Sequence, residues 1–246
     1  MKQTENTFKT KNYGDLVVIK YINHAEVIVK FVETGYETVT HMSQVRNGKV
    51  KDRLLPTAFG VGVVGDEITK VNGKFLKEYD LWRGILRRCY DANLHKKHPT
   101  YLNCIVSDNF KHYPFFKGWC SKQIGFGNEG WHLDKDILFK GNKVYSEDTC
   151  CFVPPEVNIL LTSRKSKRGN CLIGVYYRKA QDKFIARVDK VGKTQYLGTF
   201  TTELEAFLAY KTAKEAYIKE VANKWKDQID NRVYDALMNY QVEITD

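Results

Sequence analysis

The sequence predicts an α+β fold of three segments: a β-rich N-terminal segment curled into a small barrel, a central strand–loop–strand–helix core, and a C-terminal three-stranded sheet backed by a helix. Three observations predict this order. Val- and Ile-rich runs fill the first segment, a charged hairpin pattern leads into Pro154 and Pro155, and three short strand patterns precede a long helical pattern. The predicted domains are residues 1–72, 73–163 and 164–246.

The first segment consists of short strand patterns. DLVVIKYI and EVIVKFV are rich in Val and Ile and are divided by Asn23 and His24, and ETGYETVT continues with Thr and Tyr. An Asn-Gly turn signal and the glycines of FGVGVVG follow. We interpret the segment as a small barrel that acts as an adaptor, with a separate nucleic-acid-binding module as the alternative.

The second segment begins with a helical pattern, EYDLWRGILRRCYDANL. Its apolar residues recur at helical spacing and are expected in the core: Trp82, Ile85, Leu86, Cys89 and Tyr90. The three arginines of this stretch fall on the remaining surface, where they either contact phosphate or stay solvated. Residues 98–126 follow with a high density of Tyr, Phe and Trp, which predicts a compact support for the motif that comes next.

The charge balance favours a polyanionic partner. Among 246 residues, 39 Lys and Arg stand against 29 Asp and Glu, which gives a net charge of +10. No stretch approaches the roughly 20 apolar residues that span a membrane. The N-terminus is polar and lacks the apolar run of a secretory signal, so we expect a cytoplasmic protein without a membrane partner.

The six cysteines are scattered and none forms a CxxC pair. A zinc ribbon is therefore not predicted, and reduced, mostly buried thiols are expected. A zinc site assembled from distant Cys and His residues is the alternative.

The third segment begins with three strand patterns, LIGVYYRK, KFIARVD and TQYLGTF. ELEAFLAYKTAKEAYIKEVANKW then predicts an amphipathic helix capped by Thr201 or Thr202, with Glu203 and Glu205 favourable at its N-terminus. A second helical pattern covers about residues 228–240.

The residues GVYYRKAQDKFIARVDKVGKTQYLGTFTTELEAFLAY resemble an AP2 DNA-binding domain. The resemblance covers about residues 173–215, with Gly174-Val175 opening the first strand and YLGTF ending the third. It implies a three-stranded sheet that lies in the major groove of double-stranded DNA, with a helix bracing its back. A ribbon of this size does fit the major groove and can present side chains to base edges.

Cations and aromatic residues on the predicted strands and turns are the expected DNA contacts. Arg178 and Arg187 are favoured among them, because a guanidinium binds guanine or phosphate through two hydrogen bonds. The set on the module is Tyr176, Arg178, Lys183, Arg187, Lys193 and Tyr196. The basic stretch before the module adds phosphate contacts, or is a solvated loop: Arg164, Lys165, Lys167 and Arg168.

The stretch WHLDKDILFKGNKVYSEDTCCFVPPEVNILL, residues 131–161, resembles the ββα-metal core of HNH nucleases, especially phage and homing-type endonucleases. LDKDIL corresponds to the first strand, FKGNKVYSEDTC to the loop, CFVP to the returning strand and PEVNILL to the start of the helix. Pro154 and Pro155 suit the entry to that helix. The resemblance implies hydrolysis of DNA phosphodiesters.

Phosphodiester hydrolysis explains the grouping of polar residues in this motif. A divalent ion stabilises charge on the phosphate and the leaving oxygen, and a base activates water. A carboxylate on the first strand and an amide oxygen on the helix form a hard, oxygen-rich site. Asp134 and Asn158 are therefore the predicted ligands of one Mg²⁺ or Mn²⁺ ion.

The base is where the sequence departs from the family pattern. The family usually carries His there, whereas this chain has Lys135 or Asp136, and a solvated Lys is protonated at neutral pH. Asp136 is a candidate base or second ligand, and Lys135 a candidate phosphate contact. Strict strand alternation places His132, Asp134 and Asp136 on one face, so His132 is a further candidate.

Three interpretations of the motif remain: a working nuclease with altered base chemistry, a degenerate nuclease of phage origin that only binds DNA, and a plain core hairpin with surface charges. We expect the first, a metal-dependent DNA endonuclease of HNH type targeted by an AP2-like module.

Overall fold

The computed structural model describes residues 7–161, 170–190 and 192–246. These residues form a mixed α and β structure with several separate sheets, which confirms the coarse fold class. The chain divides into two units, residues 1–119 and 120–246.

A four-stranded antiparallel sheet begins the first unit. Its strands follow each other in space as in sequence: β1 (Thr7–Lys9), β2 (Asp15–Asn23), β3 (Glu26–Phe31) and β4 (Glu37–Thr40). Along β3, Val27, Val29 and Phe31 are buried in alternation. They pack with Val45 of α1 (Met42–Arg46).

The predicted barrel is wrong for the described residues, because this sheet is open. β1 pairs only with β2, and β4 only with β3. Both edge strands are short, and the chain leaves β4 directly into α1, which covers the apolar face. Closing the sheet is therefore unnecessary for burying that face.

An aromatic core occupies the rest of the first unit. The apolar stripe of α2 (Lys77–Tyr90) is buried at Trp82, Ile85, Leu86 and Cys89, as predicted, whereas Tyr90 is half-buried. The Trp82 indole donates a hydrogen bond of 2.8 Å to the carbonyl of Phe110. The remaining elements here are β5 (Lys70–Val71), β6 (Lys74–Phe75), α2 (Lys77–Tyr90), α3 (Ala92–Lys97), a 3₁₀ turn (Pro99–Tyr101), β7 (Ile105–Val106), α4 (Asp108–Lys111) and α5 (Tyr113–Cys120).

A hairpin followed by a helix begins the second unit. Its elements are β8 (His132–Asp134), β9 (Val144–Tyr145), β10 (Cys151–Val153) and α6 (Pro155–Leu160). β8 and β10 are antiparallel, with Leu133 opposite Phe152. Pro155 is the first residue of α6, the position at which proline is best tolerated.

A three-stranded antiparallel sheet with a long helix against it forms the rest of the second unit. It consists of β11 (Val175–Arg178), β12 (Lys183–Lys190), β13 (Lys193–Phe200) and α7 (Glu203–Trp225), and α8 (Asn231–Met238) follows. The predicted cap is confirmed: Thr202 and Glu205 form a capping box at the start of α7.

Gly174 allows α7 to pack closely against the start of β11. Its φ is +74°, and a Cβ at this position would overlap the ring of Tyr210. Only glycine satisfies both requirements without strain. Val175, Ala186 and Phe207 are among the buried residues of the core that this contact closes.

A second core in this unit joins the hairpin and α6 to α7 and α8. Its buried residues include Val153 and Val157 from the motif, Ile218 from α7 and Leu237 from α8. The structure therefore places residues of the predicted central and C-terminal segments in one core, because α7 is longer than the sheet it covers and its second half packs on α6.

All six cysteines are free thiols, and all except Cys171 are buried, in agreement with the prediction of reduced buried thiols. No helix within the described ranges has the length and apolar character needed to cross a membrane.

Candidate functional site

Asp134 and Asn158 come from the first and last elements of the strand–strand–helix motif. Asp134 ends β8, where it lies opposite Cys151 of β10. Val157 and Leu160 are the buried residues of α6 and anchor that helix in the core. Asn158 lies beside this buried stripe and is half-buried.

Glu156 fixes α6 against α7. Its Oε2 accepts hydrogen bonds from the Trp225 indole, at 2.8 Å, and from the Lys224 ammonium. Partial burial acts to raise the pKa of Glu156, but these two hydrogen bonds outweigh it and hold the pKa below its ordinary value. The helix that carries Asn158 is therefore held at a charged contact as well as by its apolar face.

The Asp134 side chain ends β8 by bonding to the backbone that follows. Its Oδ1 accepts from the amide nitrogens of Asp136 at 2.6 Å and Ile137 at 2.8 Å. This local turn changes the direction of the backbone and ends the strand. The expected alternation therefore holds for His132 and Asp134, which lie within β8, and is wrong for Asp136, because the strand stops at Asp134.

Lys135 is buried and its ammonium is fully engaged within the loop. It donates to both carboxylate oxygens of Asp136 and to the carbonyl of Asn142, each at 2.7 Å. The Asn142 amide donates in return to the carbonyls of Lys135, at 2.8 Å, and Val144, at 2.7 Å. These contacts close the loop between β8 and β9, so Lys135 acts as a positioning residue of the loop.

A cavity of about 620 Å³ brings several of the predicted residues together. Asp134, Asp136 and Asn158 line it, whereas His132 and Lys135 do not. The His132 side chain is exposed, at the position of β8 opposite Val153. The other walls of the cavity come from the loop after β8, from α7 and from the C-terminal stretch that follows α8.

The donors on this cavity suit a hard divalent cation. Asp134 Oδ2 accepts no hydrogen bond from any described residue, and burial raises the pKa of this carboxyl group. A cation would compensate that desolvated oxygen. Mg²⁺ keeps several waters and needs only one or two carboxylates beside substrate phosphate. The described residues contain no group of three or more His, Cys, Asp or Glu that could hold a metal ion.

The outer face of the three-stranded sheet, the side away from α7, carries five of the six DNA contacts predicted on the module. Val175 and Ala186 point into the core beneath the sheet. Directly opposite residues of an antiparallel pair share a face, so Arg178 and Lys183 lie together, as do Arg187 and Tyr196. A bulge between Ala186 and Arg187 adjusts the register of β12 and β13.

Each cation of the outer face contacts an uncharged partner. The Arg187 guanidinium stacks 5.0 Å from the ring centre of Tyr176. Arg178 donates to Gln181 at 3.0 Å, and Lys183 donates to Thr201 at 3.0 Å. Within the described residues, none of these three cations is neutralised by an ion pair.

Lys193 lies apart from the other predicted contacts. It is directly opposite Lys190. Lys190 contacts Glu220 and the ring of Tyr217, both on α7. Because opposite residues share a face, Lys193 also lies on the side of the sheet that faces α7. The predicted phosphate contacts Arg164, Lys165, Lys167 and Arg168 lie outside the described residues.

Two residues with roles at the cavity and its loop were missed by the sequence analysis. Asn142 lies in the predicted loop FKGNKVYSEDTC, and nothing in that pattern indicates its bonds to Lys135 and Val144. Lys214 of α7 lines the same cavity as Asp134. In the sequence, Lys214 has the same helical spacing as the other lysines of α7. Only the tertiary packing of α7 shows that it lies on the cavity.

Comparison of the chain with protein-family models, with curated proteins and with solved structures found no match.

Proposed function

We propose that the chain is a metal-dependent DNA endonuclease of HNH type, in which the AP2-like sheet binds double-stranded DNA and the strand–strand–helix motif hydrolyses a phosphodiester. One observation carries the proposal: Asp134 and Asn158, from separate elements of that motif, line a single cavity. The net charge of +10 and the cationic outer face support a polyanionic substrate.

Asp134 and Asn158 would hold one Mg²⁺ or Mn²⁺ ion through their side-chain oxygens. When bound, the ion stabilises the negative charge that develops on the phosphate and the leaving oxygen. Asp136 also lines the cavity, and each of its oxygens retains a lone pair beyond the bond from Lys135. In this proposal Asp136 orients and deprotonates the attacking water.

The outer face of the sheet would hold the DNA. Arg187 and Arg178 provide bidentate donors for phosphate or guanine, and the exposed rings of Tyr176 and Tyr196 flank them. Because these cations have uncharged partners, binding DNA breaks no ion pair of the protein.

The test is cleavage of supercoiled plasmid with Mg²⁺ or Mn²⁺. Asp134→Asn keeps an oxygen for the turn but removes the negative charge of the ligand, and Asn158→Ala removes the second ligand. Each variant is expected to lower the nicking rate about a hundredfold or more, since several kcal/mol of charge stabilisation are lost.

Asp148→Ala serves as the matched control, because this exposed carboxylate lies in the same motif and does not line the cavity. It is expected to cut at the wild-type rate. Equal rates for Asp134→Asn and Asp148→Ala would reject the proposed metal site.

A second candidate function is a DNA-binding protein that does not cut. The pairing of both Asp136 oxygens with Lys135 favours it, because this carboxylate is already engaged in holding the loop after β8. DNA binding by pure protein without nicking in either metal would support this alternative.

A further inference from the structure

One wall of the cavity belongs to the AP2-like module. Tyr210 and Lys214, one turn apart on α7, line the same cavity as Asp134 and Asn158. The cavity is therefore composite: the motif supplies the oxygen donors Asp134, Asp136 and Asn158, and the helix behind the sheet supplies Lys214.

Lys214 differs from the lysines around it. Lys140, on the same cavity, pairs with Asp246 at 2.7 Å, and Lys211, one turn before Lys214, pairs with Glu215 at 2.7 Å. No described residue forms a hydrogen bond or ion pair with the Lys214 ammonium.

The half-buried position of Lys214 makes an unpaired ammonium costly. Burial lowers the pKa of Lys214, and the opposing influence of Asp189 does not cancel it. An anion placed in the cavity would restore the lost solvation. Phosphate is the anion that matches both walls, because a divalent cation on one wall and an ammonium on the other each bind phosphate oxygens.

We propose that Lys214 binds a backbone phosphate of the DNA strand that enters this cavity. The inference rests on the proposed function and extends it, because the helix of the binding module then takes part in the cutting site. Lys214 lies on α7, which covers the inner side of the sheet, so its phosphate is distinct from those held by the outer face.

The experiment compares Lys214→Gln with Lys219→Gln in the full chain. Lys219 is exposed on the same helix and does not line the cavity. Both variants remove one positive charge from α7, and glutamine is a good helix former. Binding of a labelled DNA duplex is measured by anisotropy over a range of NaCl concentrations, with Ca²⁺ as the divalent ion.

Loss of one phosphate contact reduces the slope of log K against log salt by about 0.9. We expect that reduction, with several-fold weaker binding, for Lys214→Gln and neither change for Lys219→Gln. Lys214→Gln is expected to unfold at the wild-type temperature or above. Indistinguishable slopes for the two variants would overturn the proposal.

Plasmid cleavage separates this inference from the proposed function. If the wild type never cuts but the slopes differ, the phosphate contact stands and the endonuclease is rejected. If the wild type cuts in a manner that requires Asp134 and the slopes agree, the endonuclease stands and the phosphate contact is rejected.

Discussion

The loop after β8 and the outer face of the three-stranded sheet are both rich in cations, but the cations have different partners: carboxylates in the loop and uncharged groups on the face. In the loop, Lys135 pairs with Asp136 and Lys140 with Asp246. The positive charges there are cancelled by the protein itself. The Lys135 pair fixes the backbone after Asp134, and the Lys140 pair ties the loop to the C-terminal residue.

On the outer face the cations contact neutral groups instead. Arg187 stacks on Tyr176, and Lys183 donates to Thr201. The field of these side chains extends into solvent, where it would attract the proposed DNA. The number of lysines and arginines in a stretch therefore says little about binding until the partner of each one is known. Stability should respond to changes in the loop, and salt-dependent binding to changes on the face.

Gly174→Ala should have the largest effect and would remove the support of the outer face. The new methyl group meets the ring of Tyr210 and takes on a positive φ, so we expect a loss of about 3 kcal/mol in the free energy of unfolding. Gly192→Ala is the control, because its φ is +71° but its Cβ would meet nothing. Urea unfolding of both variants isolates the overlap with Tyr210, and equal losses would contradict the close contact.

Lys135→Ala should lower the free energy of unfolding by about 2 kcal/mol, because the hydrogen bonds of a buried charged group are lost and the Asn142 carbonyl loses its donor. Lys140→Ala, in an exposed ion pair, is expected to cost less than about 1 kcal/mol. Denaturant unfolding measures both. A smaller loss for Lys135→Ala than for Lys140→Ala would contradict the claim that the buried hydrogen bonds of Lys135 stabilise the loop.

Arg187→Ala should weaken DNA binding about tenfold, or about 1.4 kcal/mol, and reduce the salt slope by about 0.9 without a comparable loss of stability. Arg178→Ala is expected to act in the same direction. Lys193→Ala removes the same charge from the α7 side of the sheet and should change the slope less. Anisotropy titrations at several salt concentrations provide the test, and a stronger effect of Lys193→Ala would reject the assigned face.

Asp230→Asn should cost about 1 kcal/mol at pH 7. Hydrogen bonds from Arg232 lower the pKa of Asp230, which caps α8, so the unfolded chain takes up the proton more readily than the folded one. The stabilisation is complete above the unfolded pKa of about 3.9 and is lost as the pH falls through the lower folded value. Thermal unfolding at pH 7 and pH 3 should show the difference from wild type shrinking, whereas a constant difference would contradict the assignment.

Much of the fold was predictable because local periodicity decides it. The apolar stripe of α2, the three strands before α7 and the cap at Thr202 follow from spacing and residue type alone. Strand alternation counted back from Tyr196 also puts Lys193 on the other side of the sheet. The position of Lys193 on the α7 side could therefore have been predicted from the sequence. The open sheet was not predictable, because short strands permit both closure and coverage by α1.

The candidate site was less predictable because side-chain bonds override the strand period there. One carboxylate, Asp134, ends β8 by accepting two backbone amides, and this changes the direction of Lys135 and Asp136. Lys214 enters the cavity only through the packing of α7. No pattern within a single element carries either fact.

The core shared by α6, α7 and α8 has a consequence for where the chain would cut. Buried side chains join the motif to the helix behind the sheet. The distance between the proposed DNA-binding face and the proposed cutting site is therefore fixed. If the proposed endonuclease cuts DNA, its breaks should then fall at a constant number of base pairs from the DNA that the sheet binds.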